Sequence, residues 1–541
     1  MLSWQRENEN MSNKLVKESD IQKRKNKENY YSDLMRNIIE YVLAILGIAI
    51  CLLVPLYLRD GYNNVGVAKY DVYRKLMMWG CGILFLLTIG YLFVLKKDIK
   101  PVFLQTDYWV IAFLVLCVIA SFVGGNFDNC VWGYAGWSMG LISMISFGLL
   151  YFYFSIFGKG YKQVLACLLA AAMIAFILGI LHRLMIDPMG VYADIEDHYK
   201  NQFLSTLGQA TWYSSFVCTV LPFGVGIFWC AKKNVLRILC GIFTFAGFCT
   251  MITQNSDSAY AALGGILAVF FWFSVVDVKR MERFFEIVLM FAAATRFMNL
   301  AFQIFPNEIL QLDQFSNFLL YDNVMWFVFV LALLLWLFFF VLARDGRYHV
   351  KAARITRNVL FAILGAVLLL AAFHVAASAK GLLPESITRY TSKIPYLIWS
   401  DNWGNGRGRT WAFSMQMFRD MDIFHKFFGV GPDGYAPYAY NLYQERLVEM
   451  WGNRTLTNAH NEWMNAVINY GIFGAAAYIG IFVSSVRSFA KKQSEQPIMV
   501  GLIACIISYM CHNFFCYQQV CCTPFIFLLM GVGMYLRRTS R

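Results

Sequence analysis

Charge is scarce in this chain. Of its 541 residues only 15% are charged, against 59% that are hydrophobic, and the mean hydropathy is +0.52. That balance excludes a single water-soluble core and implies a bilayer. Also missing are a Gly-rich phosphate loop, a metal-spaced cluster of His and Cys, and a nucleophile elbow, which excludes the common soluble catalytic domains. No internal repeat argues for a secondary transporter. The 14 cysteines lie mostly inside apolar runs, as Cys117, Cys167, Cys218 and Cys240 do, where they act as small buried hydrophobes. Cys516, Cys521 and Cys522 form the closest cluster, near an expected outer membrane edge, and are candidates for a bridge. The net charge of +13 comes from short basic clusters between apolar runs, a mark of membrane topology rather than of nucleic-acid binding.

What is present is a series of apolar runs. They begin near residues 38, 76, 108, 134, 163, 212, 236, 259, 284, 323, 357, 463, 497 and 522. At roughly 20 residues per span this predicts an all-α polytopic membrane protein of about 12–14 transmembrane helices. An even count puts both ends in the cytoplasm, together with the clusters at 96–100, 159–162, 232–237, 279–283, 344–357, 487–492 and 537–541. Four segments follow: a basic tail over 1–37 with no cleavable signal pattern, a helix bundle over 38–377, a long extracytoplasmic loop over 378–460, and C-terminal helices over 461–541. A first outer loop holding Arg59, Lys69, Arg74 and Lys75 is more basic than this topology favours. The long loop, about 80 residues, is too large for a plain connection and should carry structure or function. Trp411, Met415 and Phe418 recur in it at helical spacing, suggesting a helix lying along the membrane surface.

Candidate chemistry collects in that loop. His460 stands where the loop enters a helix, in Thr-Asn-Ala-His460-Asn461-Glu, within reach of both water and a lipid headgroup; a neutral imidazole there can take a proton from a hydroxyl. Taken singly, it reads first as a polar residue at a helix entrance. Arg407 and Arg409 lie in a glycine-loosened helix start, suited to phosphate oxygens or to plain solvation. Gly429 and Gly431, ahead of Asp433, form a reversal that either lets backbone approach a ligand or merely folds the loop back.

This combination resembles the bacterial O-antigen ligase and polymerase family of membrane glycosyltransferases. The resemblance rests on Arg409 with Trp411, on Gly429 with Gly431, and on His460-Asn461 followed by Gly471 and Gly474. Thr206-Leu-Gly-Gln-Ala210 is weakly similar to an upstream motif of the family. The resemblance implies a GT-C-like fold in the bacterial cytoplasmic membrane and transfer of glycan from an undecaprenyl-diphosphate-linked donor to an acceptor hydroxyl. That acceptor would be a polysaccharide, a lipid or a protein, and the transfer would need no metal or other cofactor. His460 would be the base or orient the hydroxyl, and Arg409 would stabilise the leaving diphosphate. Arg407, Asn461, Gly429, Gly431, Asp433 and Asp257 would bind substrate. Where the family often has Ser-Arg, this chain has Asn255-Ser-Asp257-Ser, so another cation must serve, with Arg183, Arg389 and Arg407 as candidates. The rival reading is a lipid-linked oligosaccharide flippase or polysaccharide transporter, disfavoured because the spans are poor in charge.

Overall fold

The computed structural model describes residues 2–94, 102–306, 312–452 and 454–539. Helices fill every anticipated apolar run: α1 (Leu2–Leu56), α2 (Val65–Ile89), α3 (Gln105–Val123), α4 (Leu141–Phe157), α5 (Tyr161–Arg183), α6 (Ala210–Cys230), α7 (Asn234–Thr253), α8 (Ser258–Ser274), α9 (Val278–Ile304), α10 (Val324–Asp345) and α11 (Val350–Ala379). The long loop then supplies α12 (Trp403–Asp420) and α13 (Tyr435–Trp451), and α14 (Glu462–Ala490), α15 (Ile498–His512) and α16 (Thr523–Thr539) close the chain. Among the described residues, 10 segments are long and apolar enough to cross a membrane, one of them joining α4 and α5. The protein is an all-α, multi-pass membrane protein.

Close approach of small residues packs the bundle, because lipid offers no hydrophobic drive between helices. A Cβ on Gly226 of α6 would lie 2.4 Å from the Cα of Gly501 on α15, so these two backbones touch. By contrast α11 buries almost nothing, and its apolar side chains point outward all round.

The connections that follow odd-numbered helices meet at one end. Tyr62 donates to the Ser205 carbonyl at 2.7 Å, Asp313 N–H to Asn255 Oδ1 at 2.6 Å, and Tyr134 N–H to Asp433 Oδ2 at 2.7 Å. At the opposite end stand Arg538 with Asp107 at 2.5 Å, Lys159 with Glu40 at 3.5 Å, and Arg237 with Glu286 at 2.5 Å. The basic first loop also has its explanation here. Lys69 is fully buried, and its Nζ donates to the carbonyls of Val54, Pro55 and Tyr57 at 2.9, 3.0 and 3.0 Å, so it caps the C-terminus of α1 instead of adding a loop charge.

The long loop is a folded unit. Phe413, Met417, Val430, Tyr435, Ala439 and Leu447 form a small core of its own, anchored on Ile468 of α14. The face of α12 is rotated from the one anticipated, with Trp411 and Met417 buried but Met415 exposed, because Phe413 and Met417 pack against Tyr435, Ala439 and Leu447 of α13. All 14 cysteines are free, Cys516, Cys521 and Cys522 included; each of these three is buried.

Candidate functional site

The site begins where α12 starts late. Gly404, Asn405 and Gly406 all have positive φ (58°, 64° and 87°), so regular helix begins at Arg407 and this residue turns inward. Arg407 donates through Nε to the Phe515 carbonyl at 3.0 Å and through Nη1 to the Gly404 carbonyl at 2.7 Å. Neither contact neutralises its charge, and among the described residues no carboxylate pairs with it within ion-pair distance. Burial pulls its pKa below the usual arginine value. It lines a cavity of about 240 Å³ with Asp257, Tyr260, Phe315, Tyr396 and Phe515. The Tyr396 hydroxyl donates to Asp257, whose carboxyl is raised mainly by burial and further by neighbouring Asp313.

His460 faces the same cation from the end of the loop. Its φ is 48°, its N–H donates to Asn458 Oδ1 at 2.9 Å, and its ring lies edge-on to Tyr517 with centroids 5.2 Å apart. Burial first, and the Arg407 charge second, lower its pKa to about 4, so the imidazole is neutral near pH 7. Tyr517 is fixed in turn: its hydroxyl accepts from Trp212 Nε1 at 3.1 Å, and Trp137 meets its ring at 4.8 Å. Trp212 opens α6 just after the Thr206–Ala210 segment, which forms a small two-stranded turn there.

Beneath His460 a polar network enters the bundle. Asn461 is the N-cap of α14, its Oδ1 accepting from the N–H groups of Trp463 and Met464, both at 3.0 Å. Buried Glu462 accepts from Tyr478 at 2.5 Å, from Tyr509 at 3.0 Å and from the Asn513 amide. His512 contacts Ser258 at 3.1 Å and Ser214 at 2.8 Å.

The other anticipated residues lie apart from the cavity. Arg409 turns to the loop frame: Nη1 donates to the Met450 carbonyl at 2.8 Å, and Nε lies 3.5 Å from Asp401. Gly429 and Gly431 serve packing. Val430 N–H donates to the Ile468 carbonyl at 3.0 Å and Gly431 N–H to that of Asn469 at 2.9 Å, carbonyls released where Gly471 (φ 69°) kinks α14. A Cβ on Gly429 would fall 2.3 Å from the Asn469 oxygen. Asp433 accepts from the N–H groups of Tyr134 at 2.7 Å and Met139 at 3.0 Å, and burial raises it to about 6 despite them. Of the alternative cations, Arg183 is held by Thr253, Asn201 and Gln254, and Arg389 is exposed on a short helix. No group of three or more His, Cys, Asp or Glu able to hold a metal occurs among the described residues.

Residues 315–479, which hold Arg407, the glycine turn, His460 and the α14 kink, match the family model described as O-antigen ligase. This stretch is similar to the O-antigen ligases. No curated protein matches the chain. The likeness gives the chain a ligase- or polymerase-like role in surface polysaccharide biosynthesis, with a lipid-linked glycan donor and a polysaccharide acceptor in general terms. The matched stretch does not supply the whole site, because Asp257, Trp212 and the segment Phe515–Gln518 lie outside it.

Sequence reading passed over Phe515, Tyr517 and Tyr396. A signal existed for two of them: the aromatic and amide run Phe514–Gln519 follows His512-Asn513 at a membrane boundary, where unpaired polar groups are costly without a purpose.

Proposed function

We propose that this protein transfers a glycan from an undecaprenyl-diphosphate-linked donor to an acceptor hydroxyl at the outer face of a bacterial cytoplasmic membrane, without a metal. The observation that carries this reading is a half-buried arginine, Arg407, held by two carbonyls, lining a cavity of about 240 Å³ and near enough to His460 for its charge to help keep that imidazole neutral. Asp257 shares the cavity but makes no direct ion pair with Arg407, which leaves the guanidinium fork open to an anionic ligand, and its geometry suits phosphate oxygens. Arg407, rather than Arg409, takes the phosphate-stabilising role in this proposal.

In the reaction the acceptor oxygen attacks the anomeric carbon, the bond from that carbon to the diphosphate oxygen breaks, and the hydroxyl proton passes to His460. Negative charge developing on the departing diphosphate faces Arg407, where low dielectric strengthens the interaction. Diphosphate leaves readily, so positioning and charge stabilisation supply most of the acceleration, and proton transfer adds about 10²–10⁴-fold.

The test is polymer formation by purified protein in liposomes from an undecaprenyl-diphosphate-linked glycan, with EDTA present. New glycosidic bonds in wild type, lost in Arg407→Ala and His460→Ala, support the transferase. Movement of the lipid across the bilayer with no new bond in any sample would promote the flippase reading instead.

A further inference from the structure

Beyond Tyr517 lies a second, smaller recess. Trp137, Asp433, Asn458, Asn465, Asn469 and Gln518 line it together with Tyr517, and its volume is about 10 Å³, room for one oxygen-sized group. Two of its polar atoms, Asn469 Oδ1 and Gln518 Nε2, have no hydrogen-bond partner among the described residues. Both side chains are more than nine-tenths buried, at 2% and 8% exposure. One atom is an acceptor and the other a donor.

The orientation of the Gln518 amide is fixed from behind. Its Oε1 accepts from the Tyr470 hydroxyl at 3.0 Å, and its Nε2 side neighbours the Tyr478 hydroxyl as well as the recess. The neighbouring Tyr478 hydroxyl donates to Glu462 Oε1 at 2.5 Å. Each unmatched buried group costs about 1–3 kcal/mol, so a pair of opposite type lining one recess calls for a group that both donates and accepts. That group is a hydroxyl, carried either by water or by a sugar. The recess is lined by amides and one carboxylate and by no cation, so a phosphate or a uronate is disfavoured there. Its lining includes the indole of Trp137 and the ring of Tyr517, apolar surfaces of the kind that pack against a sugar ring.

We propose that this recess is the acceptor-sugar subsite. It takes a neutral, hydroxyl-bearing sugar, one of whose hydroxyl or hydroxymethyl groups donates to Asn469 Oδ1 and accepts from Gln518 Nε2. The proposal rests on the glycosyltransfer reading above and extends it. Tyr517 is the wall shared with His460, so a sugar anchored against it keeps a neighbouring hydroxyl on the His460 side, with Arg407 and its cavity beyond. Donor and acceptor thus approach His460 from different sides, one recognised by charge and the other by amides.

The probes are soluble methyl glycosides of glucose, galactose and N-acetylglucosamine. Their binding to the full chain in nanodiscs is followed by saturation-transfer NMR, and transfer to them is followed with an undecaprenyl-diphosphate-linked glycan as donor. Gln518→Leu fills the recess without polarity, and Gln518→Glu replaces its donor by an acceptor. We expect at least one glycoside to bind wild type, and both variants to weaken that binding about tenfold, the worth of one such hydrogen-bonded group. The acceptor KM should rise by the same factor while the donor KM holds. Failure of every glycoside to bind wild type overturns the proposal. So does wild-type affinity in both variants with only a lowered Tm, the result expected of a structural water. Glycoside binding that depends on Gln518, with no transfer under any condition, keeps the subsite and fells the proposed reaction.

Discussion

Arg407 and His460 share an environment in which burial first, and the arginine's charge second, lower the imidazole pKa to about 4. One short segment arranges both residues: the Phe515 carbonyl holds Arg407, and two positions later Tyr517 packs against His460.

A pH dependence follows. A base with its pKa lowered to about 4 is deprotonated above that pH, so the limb of kcat/KM that belongs to His460 should appear as pH drops through about 4, below any limb from Asp257, whose carboxyl is raised to about 6. A bound diphosphate offsets the Arg407 charge and removes one of the two causes, so the limb in kcat should lie at higher pH, by about one unit. Coincident limbs in a steady-state profile would mean that donor charge does not reach His460.

The two arginines should separate sharply. Arg407→Ala removes the cation from the cavity, and loss of a preorganised charge-stabilising group costs about 10²–10³ in kcat. Arg407→Lys should recover little, because an ammonium cannot span both the Phe515 and Gly404 carbonyls as the fork does. Arg409→Ala should chiefly loosen α12 from α13 by about 1 kcal/mol, read as a lower Tm with most activity kept. Equal loss of activity in the two alanine variants would restore Arg409 to the site.

The glycine turn should prove structural. Gly429 combines a φ of 81° with a Cβ position 2.3 Å from the Asn469 oxygen, and that oxygen belongs to backbone that cannot rotate away. Gly429→Ala should cost about 3 kcal/mol or more and release the loop from the α14 kink. Limited proteolysis would detect this as new cleavage within residues 380–460 while the spans stay intact.

Much of the fold was legible because a membrane span announces itself by length and hydropathy. The site was legible only in part. His460 could be singled out because it ends a long polar loop at a helix entrance. Sequence reading gives the diphosphate to Arg409, whereas the arginine that lines the cavity is Arg407, because three consecutive residues of positive φ delay the start of α12 by one turn. Lys69 misled in the same manner: its sequence position suggests a loop charge, and only the packed structure brings it onto the carbonyls that end α1. Asp257, on a hairpin tip, and Arg407, in the long loop, line one cavity, a meeting that their separation of 150 positions does not announce.

Glu462 offers a test of how far the bundle supports His460. It stands two positions after the histidine, buried, with Tyr478, Tyr509 and Asn513 all donating to its carboxyl. Glu462→Ala leaves these donors unmatched in the bundle and should destabilise by about 3–5 kcal/mol, enough to lower expression in the membrane. Glu462→Gln keeps the oxygen that the tyrosines need but turns an amide toward the Asn513 amide. That mismatch costs about 1–2 kcal/mol and shifts Asn513, to which His512 is bonded at 2.9 Å. If the network positions His460, the Gln variant should fold and bind the lipid-linked donor normally while its kcat falls; if it only holds the helices together, Tm should fall and kcat per folded molecule should not.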